Sequence, residues 1–505
     1  MKNIVIFFIT ATILMSCTDT LNEVNPNQIT TATFWKSESD VLSSLAATYG
    51  LLRDINGGYW GARGTELANS RGDDFFIRHD MQDVYGVSTF TNTPDAGFVN
   101  SFWNVSYKDI FRANQILENV GKVPGLSDQS KATYIAEAKF LRGLNYFNLV
   151  INFGDVPLVL NVPQSKADYF VAKSPEADVW KQLEQDFTDA AADLPVSYPS
   201  QWIGRATKGA ALAYLGKAEL YNKDWTNCVN TLAQLTQSPF TYKLMPNYQD
   251  NFLASTKNNQ ESIFEIQLAD VGGTNPWSGE NADESLGVTT AVEFAPPEVS
   301  GWNEAYPTEK IFNEFQKEKT LSDDFDPRMY ASLIWNYPGA TFYNRPFSNF
   351  GSPFGYSSMI KKYQNFMQND ELAGTNDAFG TSSNNERVMR YDEVLLMIAE
   401  AQTMEGKVTD AYPYVQQIRN RANLTALPTG YTQDQMMAEI RHQDMIEFFR
   451  ESHRWYDLKR WGLLQQEITN SDKVGKQSYS SKYDLLPIPL TEIDSNPKMV
   501  QNSNW

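Results

Sequence analysis

The chain predicts a mainly α fold, in which helix pairs pack into a superhelical scaffold interrupted by an irregular, loop-rich subdomain with short strands. Three observations carry this. Apolar residues recur at helical spacing, as in Ile110, Ala113, Leu117 and Val120, in Leu212, Leu215, Gly216 and Leu220, and in Val415, Ile418 and Ala422. Short turns, Tyr221 to Trp225 and Glu405 to Val408, separate consecutive stripes, so the helices come in pairs. From about residue 240 to 385 the helical period lapses into Asn, Gly and Pro, with strand-like pieces such as Ser262 to Leu268.

Residues 1–16 read as a signal peptide. Lys2 supplies the positive start, Ile4 to Met15 carries no charge, and Leu14-Met15-Ser16-Cys17 has the spacing of a bacterial lipoprotein cleavage site. The uncharged run is too short to span a bilayer. Cys17 is the expected lipidated first residue of the mature chain, its thiol and amine carrying acyl chains, because two or more chains anchor stably where one does not. Residues 17–31, rich in Asn, Thr and Asp, read as a tether between the lipid and the body. Helical patterning occupies 32–240 and returns over 386–505, and small residues within the stripes, such as Ala213, Gly216, Ala399 and Ala401, permit close helix approach. The pairs resemble tetratricopeptide hairpins without a strict period.

The 241–385 segment is different in kind. Residues 271–370 hold eighteen aromatics beside eight Gly and eight Pro. A structureless loop of this length is either functional or disordered, and its ring content is the opposite of the disordered signature. It reads as a packed, irregular subdomain with a binding surface.

Charge and cysteine usage exclude several functions. With 61 acidic and 42 basic side chains the formal charge is −19, so neither a nucleic acid nor an anionic lipid surface is an expected partner. Only Cys17 and Cys228 exist. If Cys17 carries lipid, Cys228 has no intramolecular partner, and stability must come from packing. His79, His442 and His453 are scattered and no cysteine pair has ligand spacing, so no metal and no cofactor is expected.

A series of motifs along the mature chain is similar to the SusD/RagB lipoproteins of Bacteroidetes. Ile29, Thr30, Phe34, Trp35 and Lys36 with Asp40 and Tyr49 look like that family's opening helix. Trp103, Tyr107, Ile110, Arg112, Ala113 and Asn114 precede Glu137 to Arg142, Tyr146-Phe147 and Phe153 to Leu158, the most specific block. Arg205 to Lys208, Asp326-Pro327-Arg328, Arg390 to Leu396 and Ile418 to Ala422 follow. Glu451 to Leu458 with Arg460-Trp461, and Leu486 to Pro489 with Asn496-Pro497, complete the series. Two positions depart: Gln443-Asp444 stands where the family commonly has Glu-Arg, which puts a structural ion pair in doubt, and Ser452 where it has Gly. The resemblance implies a tetratricopeptide-like scaffold that contacts a SusC-like TonB-dependent transporter at the outer membrane, a separate ligand face, and no catalysis. Its implied ligand is an oligosaccharide, with a peptide or a purely structural lid role as alternatives.

Sugar rings pack their C–H faces on indole and phenol rings while polar groups at the rim take the hydroxyls. Trp277, Trp302 and Trp335 are therefore the leading ligand candidates, with Tyr337, Tyr343, Asn344 and Arg345 as a ring-plus-polar cluster beside them. Each Trp reads equally well as subdomain core, and Arg345 equally well as a buried partner. The resemblance adds the early loops, hence Trp60, Asp73 and Arg78. Asp73-Asp74 is the best candidate for a hydrolytic carboxylate pair, but neighbouring residues do not face each other across a substrate and no second partner is identifiable. The Arg and Glu residues of the late motifs, Arg142, Arg390, Glu400, Arg454 and Asp457, read as ion pairs between helices.

Overall fold

A computed structural model describes residues 34–269, 286–351, 356–364 and 382–505. Cys17 and Trp277 lie outside the described residues. Helix dominates, and the strands run two to five residues each. The scaffold helices are α1 (Glu38–Leu51), α2 (Ala62–Ser70), α3 (Gly97–Asn119), α4 (Asp128–Phe153), α5 (Glu176–Asp193), α6 (Lys208–Tyr221), α7 (Trp225–Leu232), α8 (Tyr391–Met404), α9 (Val408–Arg421), α10 (Gln433–Glu447) and α11 (Arg454–Arg460). No described helix is long and apolar enough to cross a membrane.

The apolar stripes become the faces on which successive helices pack, α3 on α4, α4 on α5, α5 on α6 and α6 on α7. Side-chain caps start several of them. Ser127 accepts the Ser130 N–H at 3.0 Å before α4, and Thr432 closes a capping box with Gln435 before α10. At Gly216 the approach of α7 is so close that a Cβ would collide with Leu232, which is why that stripe carries glycine. The turns at 221–225 and 405–408 are where the sequence puts them. After Leu232 the chain leaves the superhelix for some 160 residues and re-enters with α8, which packs on α7 as the next layer. The irregular region is thus an excursion between adjacent layers of one solenoid.

From Phe140 to Phe153, α4 is buried on every side, including Arg142, Asn145, Asn148 and Asn152. A helix enclosed all round must satisfy its polar side chains internally. Arg142 forms a two-toothed pair with Asp186 (2.8 and 2.7 Å), Asn145 donates to Asp109 (2.7 Å), and Asn152 accepts from Arg71 (3.0 Å) and the Tyr456 hydroxyl (2.9 Å).

The strands are β1 (Phe75–Ile77), β2 (Ser262–Ile266), β3 (Ala305–Pro307), β4 (Leu333–Trp335), β5 (Thr341–Phe342), β6 (Arg345–Pro346), β7 (Ser358–Ile360) and β8 (Glu386–Arg390). They pair antiparallel as β1 with β3, β2 with β8, β4 with β7 and β5 with β6. The β1–β3 pair joins the early loops to the ring-rich segment. The β2–β8 pair closes the excursion at its base.

Beneath that base lies a buried charge network. Arg390 reaches Glu261 (3.1 Å) and Glu451 (2.7 Å) and touches Asp392. Arg421 reaches Glu261 (2.8 Å) and Glu447, Arg328 reaches Asp326 (2.6 Å) and Glu447 (3.0 Å), and Lys362 reaches Glu451 (2.6 Å). Burial pushes the Glu447 carboxyl up, but Arg421, Arg328 and Arg390 outweigh it and hold the group at about 2. Gln443, at the departure from the family pattern, is buried and accepts from Arg328 at 2.8 Å, so an amide replaces the expected ionic partner. Ser452 adopts φ +64°, the left-handed region that favours glycine, and is held there by Asn69, which accepts its N–H at 2.8 Å and donates to its hydroxyl at 3.3 Å.

Removing one member of such a network strands the others in a dry interior. Glu447→Ala is expected to lower unfolding stability by about 3–5 kcal/mol, read by chemical denaturation. A loss no larger than that of an exposed Glu→Ala control contradicts the account.

Candidate functional site

The described ring-rich segment folds around a small core of its own, Ala291, Val292, Ala295, Val299, Ile334, Ala340, Phe342, Tyr343, Phe350 and Met359. Three half-buried rings pack on that core: Trp302, Tyr337 and Phe347. Half-buried aromatic rings packed on a core are of the kind that stack on sugar rings.

Trp302 is set by its turn. Ser300 and Asn303 adopt φ +63° and +54°, and Gly301 approaches the Ala295 carbonyl too closely to carry a Cβ. Backbone N–H groups of Trp302 and Glu304 donate to Val292 O and Glu293 O, both at 2.7 Å. Arg78, just beyond β1, then clamps the turn from across the sheet. Its backbone N–H donates to Glu304 O (2.8 Å), and its guanidinium donates to Trp302 O, to Asn303 O (3.3 Å) and to Asp80 (2.5 Å). Three further rings, Phe76, Tyr306 and Tyr356, gather on the β1–β3 pair with centroids 4.6 to 5.9 Å apart.

An open groove of about 680 Å³ lies beside this clamp, lined by Asn56, Arg63, Asp80, Met81, Gln82, Val84, Gly97, Phe98 and Ser101. Arg63 forms one wall while bridging Glu66 (2.6 Å) and Glu304 (3.0 Å). Glu293 lies in the same buried group. Burial raises all three carboxyls to about 7, and their mutual repulsion adds to it against the attraction of Arg63.

Several sequence candidates fall elsewhere. Trp60 is buried in the main core, edge-on to Tyr59 at 4.8 Å, because the 54–61 turn folds it inward. Trp335 is 5% exposed and enclosed by Phe312, Phe325, Tyr330 and Tyr337 at 4.6 to 6.3 Å, with no face for a sugar. Tyr343 is buried and donates its hydroxyl to Gln364 at 3.0 Å. Asp73 is fully buried between Arg454 (2.6 and 2.9 Å) and Lys310. These four are corrected to structural roles, since a group without solvent access cannot meet a ligand. The Asp73-Asp74 pair is buried throughout. Burial pushes Asp73 up, but Arg454 and Lys310 pull it well below the usual carboxylate range, whereas burial and Asp73 lift Asp74 to about 7.

Asn344 is exposed at the tip of the β5–β6 hairpin, with φ +56°. Arg345, half-buried, donates to Glu298 O. Sequence reasoning missed Arg63, Asp80, Phe347 and Tyr356. Ring density within 271–370 already contained Phe347 and Tyr356, and Asp80 stands two residues from Arg78. Locally Arg63 shows only an ordinary i, i+3 pair with Glu66, and the partner that sets it at the site, Glu304, is 241 residues away.

Because the folded Glu293 titrates near 7 and an unfolded glutamate near 4.5, its contribution is fully present below about 4.5 and is lost as pH rises to about 7. Glu293→Gln is therefore expected to stabilise the protein at pH 8 by up to about 3 kcal/mol, with no gain at pH 4.5. Denaturation curves at the two pH values check this, and an equal effect at both contradicts it.

Comparison with known proteins places this geometry among relatives. Residues 260–505 match the family model described as SusD family, and residues 19–220 match one described as starch-binding associating with outer membrane. SusD-like protein P2 of Formosa agariphila is 29% identical over 522 residues, covering 99% of this chain and 97% of its own. The crystal structure of a SusD superfamily protein from Bacteroides vulgatus superposes with TM-score 0.85 at 36% identity, over 94% of this chain and all of that one. A laminarin-binding SusD-like protein superposes with TM-score 0.80 at 25% identity, over 93% of this chain and all of that one.

Proposed function

The chain belongs to the SusD family, and from that premise we propose that it is a lipid-anchored outer-membrane protein that binds oligosaccharide at the cell surface and delivers it to a SusC-like TonB-dependent transporter. The observation that carries the reading is Trp302, a half-buried indole fixed by a strained turn and an arginine clamp beside an open polar groove. The ring supplies a flat apolar face, and Arg78, Asp80 and Gln82 supply donors and acceptors for hydroxyls. Tyr337 and Phe347 extend the apolar surface, and Asn344 adds an exposed amide on the β5–β6 hairpin. Binding of laminarin by a similarly folded relative supports a glycan ligand over a peptide. Cys17 is the attachment point of the lipid, and the acidic body stays off the anionic surface. The protein binds and passes on its ligand without a reaction of its own.

Calorimetric titration against a panel of plant, microbial and host oligosaccharides tests the reading. One glycan class is expected to bind, and Trp302→Ala to weaken it about tenfold or more, equivalent to about 1.4 kcal/mol. Trp335→Ala, by contrast, is expected to lower the melting temperature through loss of core packing. Binding of peptides with silence across the glycan panel overturns the proposal. Cys17→Ala is expected to move the chain from the membrane to the soluble fraction of fractionated cells, and retention in the membrane contradicts lipid anchoring.

A further inference from the structure

On the scaffold, apart from the groove, α6, α8, α10 and α11 line a small void of about 10 Å³, room for roughly one water-sized sphere. Asp444 on α10, His453 just before α11 and Asp457 on α11 line it. Each offers one ligand atom, and the three atoms lie within 4.8 Å of one another. Two features set this group apart from an ordinary ion-pair cluster.

First, the carboxylates are buried and partly unpaired. Asp444 Oδ1 and Asp457 Oδ2 have no hydrogen-bond partner, although both residues are more than nine-tenths buried. The His453 ring, stacked on Phe448 at 4.5 Å, stands 4.0 Å from Asp457 Oδ2 and 3.7 Å from Glu393 Oε2, beyond hydrogen-bond reach of either. Unsatisfied oxygens in a dry interior are costly, and they point to something that fills their coordination.

Second, the local charge does not balance. The void is lined by four carboxylates, Glu393, Glu400, Asp444 and Asp457, and two cations, Lys217 and Arg460. Both cations are already engaged: Lys217 pairs with Glu393 (2.7 Å), and Arg460 pairs with Glu400 (2.8 Å) and with the other oxygen of Asp457 (2.7 Å). Arg454 nearby is committed to Asp73. Among the described residues Asp444 is left without an ion pair, and Asp457 shares its Arg460 with Glu400.

We propose that Asp444, His453 and Asp457 bind one zinc-class divalent cation, with one imidazole nitrogen and two carboxylate oxygens as ligands, the ion taking the space of the void and a water completing its coordination. The imidazole disfavours calcium and magnesium, which take oxygen ligands, and favours zinc. Bonds of about 2.1 Å in a tetrahedron give ligand separations of about 3.4 Å, so closure requires shifts of roughly 1 Å. The ion would tie α10 to the start of α11, two segments joined by the left-handed residues Arg450 and Ser452. Three histidines without a cysteine motif gave no sequence signal for it, because Asp444 and His453 converge only across a helix–helix corner.

The test is metal content of the purified chain by elemental analysis, after loading with zinc chloride and dialysis into metal-free buffer, with melting temperature recorded alongside. About one equivalent of zinc per chain and a higher melting temperature are expected. Asp444→Asn and His453→Gln should each abolish retention and the thermal shift. Substoichiometric zinc with no shift in the wild-type chain overturns the proposal, as does an equal response in wild type and variants. If the variants fail to fold, cobalt(II) added to the wild-type chain decides: intense tetrahedral visible bands support the site, and the weak spectrum of aqueous cobalt overturns it.

Discussion

The buried network of Arg328, Lys362, Arg390 and Arg421 with Glu261, Asp326, Asp392, Glu447 and Glu451 is the constraint on which the rest of the structure depends. Its members come from the base of the excursion and from the returning helices, so neither part can neutralise its charges alone. Charges taken from water are tolerated only when paired, so the chain has one register in which the excursion closes over the scaffold. The β2–β8 pair and the packing of α8 on α7 follow from that closure. Six residues of the network stand in motifs that carry the family resemblance, and their roles are structural.

This arrangement separates two demands. The solenoid supplies a rigid body whose layers pack through apolar stripes and small residues, and the excursion is free of that periodicity. Rings there are anchored in small satellite cores and set by turns that need left-handed residues. Strain of this kind survives only where the surroundings over-determine it, and around Trp302 the Arg78 clamp does so from a strand 224 residues away. A binding face built in this way can change its turns without disturbing the layers below.

Buried acid is the recurring feature of the molecule. Where arginines surround a carboxylate, as at Glu447, it is held ionised. Where one arginine serves three carboxyls, as at Arg63, burial raises all three. Where the cations are already committed, as around Asp444 and Asp457, the oxygens are left without partners. The strongly acidic composition therefore shows itself in the interior as well as on the surface.

The sequence by itself determined the helices, their pairing, the short strands of the ring-rich region, and that Arg142, Arg390, Glu400, Arg454 and Asp457 take part in internal ion pairs. The elements rest on local periodicity and turn chemistry, which are written in consecutive residues; the ion-pair reading rests on the rule that buried charges need partners, and partners such as Asp186 for Arg142 and Asp73 for Arg454 stand 44 and 381 positions away. Trp302 and Trp335 show why the site was less legible. Each lies among Pro, Gly and other rings, and no local feature distinguishes the half-open indole from the enclosed one. Asp73 went inward for a reason equally remote, meeting Arg454 across 381 positions and Lys310 across 237, whereas Trp60 is turned inward by its own 54–61 turn and Tyr343 is held by Gln364, 21 positions on. Exposure of a side chain is decided by what the distant chain lays over it, and only the tertiary structure holds that information.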